Sequence, residues 1–482
     1  MEELLKKKKK LPKMNLDDYQ TKPKENTEKA KDEEDEDAND DDQAILDDPK
    51  AGQMAQPLWI LPLYSKLDPK EQAKVFQSAP EGHRMCVIGK RQFFFYFFKE
   101  RISENCLILL ATNVAETSLT IPGTKYVVDT GKMKMRLFDK VTGVSTYQVM
   151  WTSKAQANQR AGRAGRQGPG HCYRLFSSAV FQTFEDHALP DIRARPVEDV
   201  ILQLKSMGKN KILEFPFPSP PDYQQVQAGE QHLVQLGALS AETKKITPLG
   251  RTIAPFPVSP RFGKMLALSH QHGLTQHTIT MVAALSMQEV LLETPIGNHE
   301  DAFNKQDLAE IRSKWAGKTG QTLLLGDPMV LLSAVYVTEQ FGCNRDFCDR
   351  HGLRFKAMQE IRKLRRQLAN EMTAQSTLKI ILDPNVQAPD AEQAFLLRQI
   401  LLSGLGDHVA RKIPKDELPE GPDRKKFGHA YLTRLMEQPV FLHNMSVLKT
   451  YDPPEWVVYQ EIYEVQVNLF RIINWVFEAW TT

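Results

Sequence analysis

Apolar positions gather along this chain in three successive patterns, and each predicts a different kind of element. In the first, short apolar runs alternate with helical spacing. Residues 59–64, 84–88, 126–129 and 172–176 read as strands, because compact apolar runs suit strands buried on both faces. Residues 67–77 read as a helix opened by Asp68-Pro69, and residues 156–165 as another. Strands alternating with helices predict a parallel α/β sheet. In the second pattern the spacing becomes helical throughout. Residues 197–207, 223–236, 261–272, 276–285, 327–341 and 353–370 predict helices, and a proline-dense linker covers 215–221. These read as two small α-rich domains. From about residue 395 short strands return, at 430–435, 440–444 and 456–462, with Gly and Pro between them. A small β-barrel is expected there.

Charge changes the picture at one end only. Within residues 1–50, 11 Lys stand against 17 Asp or Glu, whereas the whole chain of 482 residues carries a formal +2. The acidic block 32–42 and the Lys6–Lys10 run cannot bury a core, so residues 1–56 are expected to be disordered. The rest is mildly basic, which is compatible with binding a phosphate backbone. Five cysteines, none in a Cys-x-x-Cys pair, suggest reduced thiols and no metal site. The longest concentrated apolar run, residues 93–98, is too short to span a bilayer, so no membrane role is expected.

Candidate chemistry centres on Gln159-Arg160-Ala161-Gly162-Arg163-Ala164-Gly165-Arg166. On one continuous helix, Arg160, Arg163 and Arg166 would stand three apart on neighbouring positions. Small spacers would let another surface approach, and guanidinium forks suit phosphate oxygens. Upstream, residues 111–121 (Ala-Thr-Asn-Val-Ala-Glu-Thr-Ser-Leu-Thr-Ile) form a loop dense in short hydroxyl and amide donors. Such donors suit phosphate and ribose oxygens.

Together these two segments resemble motifs VI and V of superfamily 2 helicases, in the form typical of the DEAH/RHA family. Leu61-Pro62-Leu63-Tyr64-Ser65 resembles the family's motif IVa, and residues 132–149 its strand-separating β-hairpin, turned at 139–143. The likeness covers roughly residues 57–88 and 111–465. It implies a second RecA-like lobe at 57–190, a winged-helix domain at 191–257, a helical ratchet domain at 258–394 and an OB-fold at 395–465. Residues 466–482 depart from the family's pattern. By the same resemblance, Arg163 and Arg166 are arginine fingers and Gln159 faces the γ-phosphate. Glu116, Ser118 and Asp129 would couple to the nucleotide, while Thr112, Asn113, Thr117, Lys132 and Lys134 would touch RNA. ATP and magnesium are the implied cofactors, held mainly by a first lobe. Single-stranded RNA, gripped by its backbone, and a protein activator are the implied partners, and nothing points to a homo-oligomer. The acidic, lysine-rich segment before Leu61 is most similar to nucleolar members that act in small-ribosomal-subunit assembly. Nuclear and nucleolar residence, ribosome biogenesis and rRNA processing follow as expectations.

Two departures qualify the likeness. The phosphate-cradling loop and metal-binding acidic motif of the family's first lobe are not found in these residues, so the chain alone is expected to be inactive. Gly317-Lys318-Thr319 imitates part of that loop, but Arg312 stands where its first glycine is needed. The alternative is an RNA- or protein-binding module without catalysis. Second, residues 89–110 intervene between the strand 84–88 and the 111–121 loop, which the family joins directly. Two outcomes stay open: residues 106–110 take over the strand position, looping out the aromatic run 93–98, or the lobe does not fold properly.

Overall fold

The computed structural model describes residues 58–62, 84–88, 95–99, 107–111, 124–138, 145–287, 289–292, 304–317, 320–376, 379–414, 430–449, 451, 454–465, 470–474 and 477–478. The expected disordered segment 1–56, the helix expected at 67–77 and the hairpin turn at 139–143 lie outside the described residues.

Eight strands open the described chain: β1 (Leu58–Pro62), β2 (Arg84–Ile88), β3 (Phe95–Lys99), β4 (Leu107–Ala111), β5 (Thr124–Asp129), β6 (Lys132–Phe138), β7 (Ser145–Trp151) and β8 (His171–Arg174). Six of them form a sheet in the order β1-β2-β4-β3-β5-β8. The pairs β1–β2, β2–β4 and β5–β8 are parallel, as alternating strands and helices require. The aromatic segment corrects the expectation drawn for it. It is not looped out: β3 lies inside the sheet, antiparallel to both β4 and β5. Phe and Tyr favour strands, and an interior position pairs a strand's backbone groups on both edges. β4 does not replace the strand 84–88 as expected of residues 106–110: β2 keeps its place beside β1, and β4 pairs with its other edge.

The helix α1 (Lys154–Ala161) packs on β5. A capping box starts it, with Ser153 accepting from the Gln156 amide and Gln156 answering from its side chain.

Three helices build the winged-helix core: α2 (Glu198–Ser206), α3 (Tyr223–Gln235) and α4 (Pro248–Ile253). Ile201, Leu202, Leu233, Leu239 and Ile253 fill it. Gly250 sits against the carbonyl of Ala238, which an added Cβ would approach to 2.2 Å. Gly250→Ala should therefore lower stability by about 1–3 kcal/mol in urea melts, as overpacking does; an unchanged midpoint would contradict the close approach.

The ratchet core comprises α5 (Pro260–Gln271), α6 (Thr275–Leu285), α7 (Lys305–Ala316), α8 (Asp327–Gln340), α9 (Phe355–Gln375) and α10 (Ala391–Leu405). α6 and α8 are buried on nearly every side, so they occupy its centre. α9 begins two residues later and ends five later than the spacing predicted. α10 delivers Leu397, Ile400, Leu401 and Leu405 to the same core. None of the described helices is long and apolar enough to cross a membrane.

The last strands are β9 (Val409–Lys412), β10 (Ala430–Thr433), β11 (Met436–Leu442), β12 (Trp456–Val458), β13 (Glu461–Val465), β14 (Phe470–Asn474) and β15 (Phe477–Glu478). The final segment, 466–482, is no bare tail: β14 pairs with β11 and β13, and β15 with β12. The hairpin β6–β7 joins this second sheet through Tyr463 of β13 opposite Ser145 of β7.

A polar joint ties the ratchet helices to these strands. Arg261 forks onto both carboxylate oxygens of Asp407, with the Nη2–Oδ2 bond at 2.7 Å. Burial pushes the Asp407 carboxyl up, but the bonded Arg261 and neighbouring His408 outweigh it and hold the group at about 2. The His408 imidazole stacks on Tyr459, and its Nδ1 lies 3.1 Å from the Gln460 carbonyl oxygen. Burial, aided by Arg261, drives this imidazole down to about 4 from its ordinary 6.5. Between those values the unfolded chain binds a proton that the folded one refuses. Stability is therefore full above about pH 6.5 and falls towards pH 4, by up to about 3 kcal/mol from this group. His408→Gln should flatten that slope in urea melts run across the window; an equally steep variant would assign the slope elsewhere.

Candidate functional site

The site grows from the end of β5. Asp129, the last residue of that strand, is fully buried, and so is Arg160 from α1. Arg160 Nη1 donates to Asp129 Oδ1 at 2.9 Å and to the carbonyl of Lys132 at 3.1 Å. The amide of Gly131 donates to the same Asp129 oxygen at 2.9 Å. Gly131 has φ +68°, and a Cβ there would meet Phe176 at 2.7 Å, so glycine suits both the turn and the packing. Its carbonyl accepts from the Thr152 amide at 2.8 Å. One guanidinium thus fastens the end of β5, the root of the β6–β7 hairpin and the motif VI helix.

This geometry corrects two expectations. Arg160, Arg163 and Arg166 do not share one helix face, because α1 stops at Ala161 with Gly162 as its cap. The glycines that weaken a helix end it here. Arg160 points inward, while Arg163 (half-buried) and Arg166 (exposed) follow in the turn beyond the helix. Asp129, expected to couple to nucleotide, is closed off by burial and reaches that turn only through Arg160. Gln159 is exposed on the last turn of α1, beside the arginine turn.

The hairpin lysines differ from each other. The Lys132 ammonium lies over the Trp151 ring, and Lys134 is exposed. A cation held on an aromatic face is constrained as a donor to phosphate. Thr112, Asn113, Glu116, Thr117 and Ser118 lie outside the described residues. Ala111, which leads into them, ends β4.

Sequence reading missed the contacts that orient α1. Arg174 of β8 donates to Asn158 Oδ1 at 2.7 Å, and Lys154 pairs with Asp186 at 2.9 Å. Neither carries a local sequence signal, since each partner comes from a separate strand or loop. The Ser153 capping box does carry a local signal, Ser-x-x-Gln, which a helix read from residue 156 passed over. The resulting arrangement presents two guanidiniums and an amide from a rigidly rooted turn. Such a set can neutralise a phosphate delivered from outside the lobe.

Comparison with known proteins agrees with this geometry. The helicase conserved C-terminal domain matches residues 90–168. The winged-helix and ratchet-like parts of the helicase-associated domain match 229–258 and 259–331. An oligonucleotide/oligosaccharide-binding fold matches 397–480. The probable ATP-dependent RNA helicase kurz of Drosophila melanogaster is 48% identical, covering 95% of this chain and 38% of its own length. The probable ATP-dependent RNA helicase DHX37 of Homo sapiens is 46% identical over 88% of this chain and 36% of its own. The probable ATP-dependent RNA helicase DHR1 of Saccharomyces cerevisiae is 38% identical over 74% of this chain and 29% of its own. The chain thus spans only 29% to 38% of the length of these relatives.

Proposed function

The chain belongs to the DEAH-box RNA helicase family, matching its C-terminal region, and from that premise we propose that it supplies the nucleotide-closing and RNA-tracking half of an ATP-dependent RNA helicase. The observation that carries the proposal is the turn after α1, where Arg163 and Arg166 are presented by a helix rooted through Arg160 and Asp129. In this reading Arg163 and Arg166 approach the γ-phosphate of ATP, and Gln159 faces it. An arginine at that position stabilises the charge of phosphoryl transfer. Thr112, Asn113 and Thr117, with Lys132 and Lys134, would hold the RNA backbone, and Glu116 and Ser118 would link that grip to closure.

The fit to ATP is partial. Guanidiniums suit a phosphate, but the 482 residues hold no Gly-rich loop to cradle one. Magnesium fits less well: no group of three or more His, Cys, Asp or Glu among the described residues could hold a metal. No step is therefore routed through the metal. The OB-fold, winged-helix and ratchet matches support RNA as the ligand. The Lys6–Lys10 run and the acidic, lysine-rich segment support nucleolar work on ribosomal RNA.

Two assays on the chain as it stands test this reading. It should bind a labelled single-stranded RNA with an affinity that falls steeply with salt, as backbone contacts require. It should show no ATP hydrolysis above background, with or without RNA. Turnover that Arg163→Ala abolishes would overturn the reliance on a separate phosphate loop. Undetectable RNA binding at low salt would overturn the RNA-tracking role. Salt-dependent binding with no rescue of turnover by an ATP-holding lobe favours the second reading, a binding module without catalysis.

A further inference from the structure

Two apolar quartets stand side by side in the first sheet, and the pairing between them explains the segment that separates them. Met85 pairs with Leu107, Cys86 with Ile108, Val87 with Leu109 and Ile88 with Leu110, all in parallel. Leu107 follows Met85 by 22 positions, which is also the length of segment 89–110. Excising that segment joins Ile88 to Ala111. Residues 85–88 would then stand, one for one, at the height where 107–110 now lead into the 111–121 loop.

The heights also agree across the inserted strand. Tyr96 of β3 pairs with Leu110 on one side and Val128 on the other. Phe97 likewise lies between Leu109 and Val127, and Phe98 between Ile108 and Tyr126. β4 and β5 are therefore parallel and level, held apart by one antiparallel strand. Removing β3 and β4 together leaves β2 parallel to β5 and level with it.

We propose that residues 89–110 are a two-strand cassette set into a complete parallel sheet, which closes as β1-β2-β5-β8 without it. The cassette conserves height along the strands, and what it changes is lateral distance. With strands about 4.8 Å apart, the root of the 111–121 loop moves from one strand spacing to two away from β5. Phe95 marks the gap, since it pairs with both Ala111 and Asp129. The loop's origin is thus parted from the carboxylate that anchors Arg160. In the function proposed above, on which this consequence rests, the cassette weakens the link between the RNA-facing loop and the arginine turn.

Three forms of the chain test the proposal: intact, lacking 89–110, and lacking 89–109. The last leaves one extra residue before Ala111, and a one-residue slip turns alternate side chains to the wrong face. The 89–110 deletion should melt several degrees (roughly 5 °C) above the slipped deletion and no lower than the intact chain. Its amides at 84–88 should also gain protection from hydrogen exchange. A deletion that is unfolded, or no more stable than the slipped form, overturns the cassette. Binding of a labelled oligouridylate is read in parallel and should tighten in the 89–110 deletion. If stability behaves as expected while RNA affinity stays unchanged, the cassette stands and the RNA-contact role of the 111–121 loop falls.

Discussion

Arg160→Ala will cost the RecA-like lobe that holds it about 3–5 kcal/mol, the range for breaking a buried ion pair by removing one partner. Arg160 and Asp129 are both fully buried, so the carboxylate left behind has no access to water. The same substitution removes the hydrogen bond to the Lys132 carbonyl at the hairpin root. Urea melts followed by hydrogen exchange in residues 124–138 and 145–161 read the effect locally. A double variant, Arg160→Met with Asp129→Leu, separates charge from shape. Replacing both partners by apolar groups leaves no buried charge, and it should recover most of the lost stability. A single variant as stable as the parent would mean that the pair does not root α1.

Arg166→Ala should produce the largest functional effect and a negligible structural one. The side chain is exposed in the turn beyond α1, where substitutions usually change stability by within ~0.5 kcal/mol. An arginine finger, in contrast, contributes about a thousandfold or more to phosphoryl transfer. In a protein that joins these residues to an ATP-holding lobe, kcat should fall by that order while the melting temperature holds. Arg163→Ala should do the same to turnover. Its half-buried side chain makes it the less clean test of the two. A variant that raises KM without lowering kcat would reassign the arginine to ground-state binding.

Much of this architecture was legible in the sequence because the deciding signals are local. Strands β2 and β5, helices α2, α3, α5, α6 and α8, and the proline-dense linker all declared themselves through spacing and caps. The arginine octet declared its chemistry but not its shape. Spacing by three suggested one face, yet Gly162 ends the helix and sends Arg160 inward and the other two onward. Nothing local reveals that Asp129, thirty-one residues earlier, is waiting for Arg160. The aromatic run was misjudged for a related reason. Residues 95–99 have no period that assigns a face, and their position depends on two distant strands whose unpaired edges they fill. α10 escaped notice because its hydrophobicity is nearly continuous, and short continuous apolar runs do not distinguish buried strand from buried helix. The Arg174–Asn158 hydrogen bond and the Arg261–Asp407 ion pair belong to the same class, set by tertiary approach alone.

The central claim is that the turn after α1 closes on ATP held by another lobe. Its most direct test is RNA-stimulated ATP hydrolysis by this chain, without residues 89–110, fused behind the N-terminal portion of the fly relative. The account predicts turnover that rises with single-stranded RNA and falls about a thousandfold or more in Arg166→Ala. A folded, RNA-binding fusion that stays inert, or an Arg166→Ala fusion as active as its parent, would contradict it.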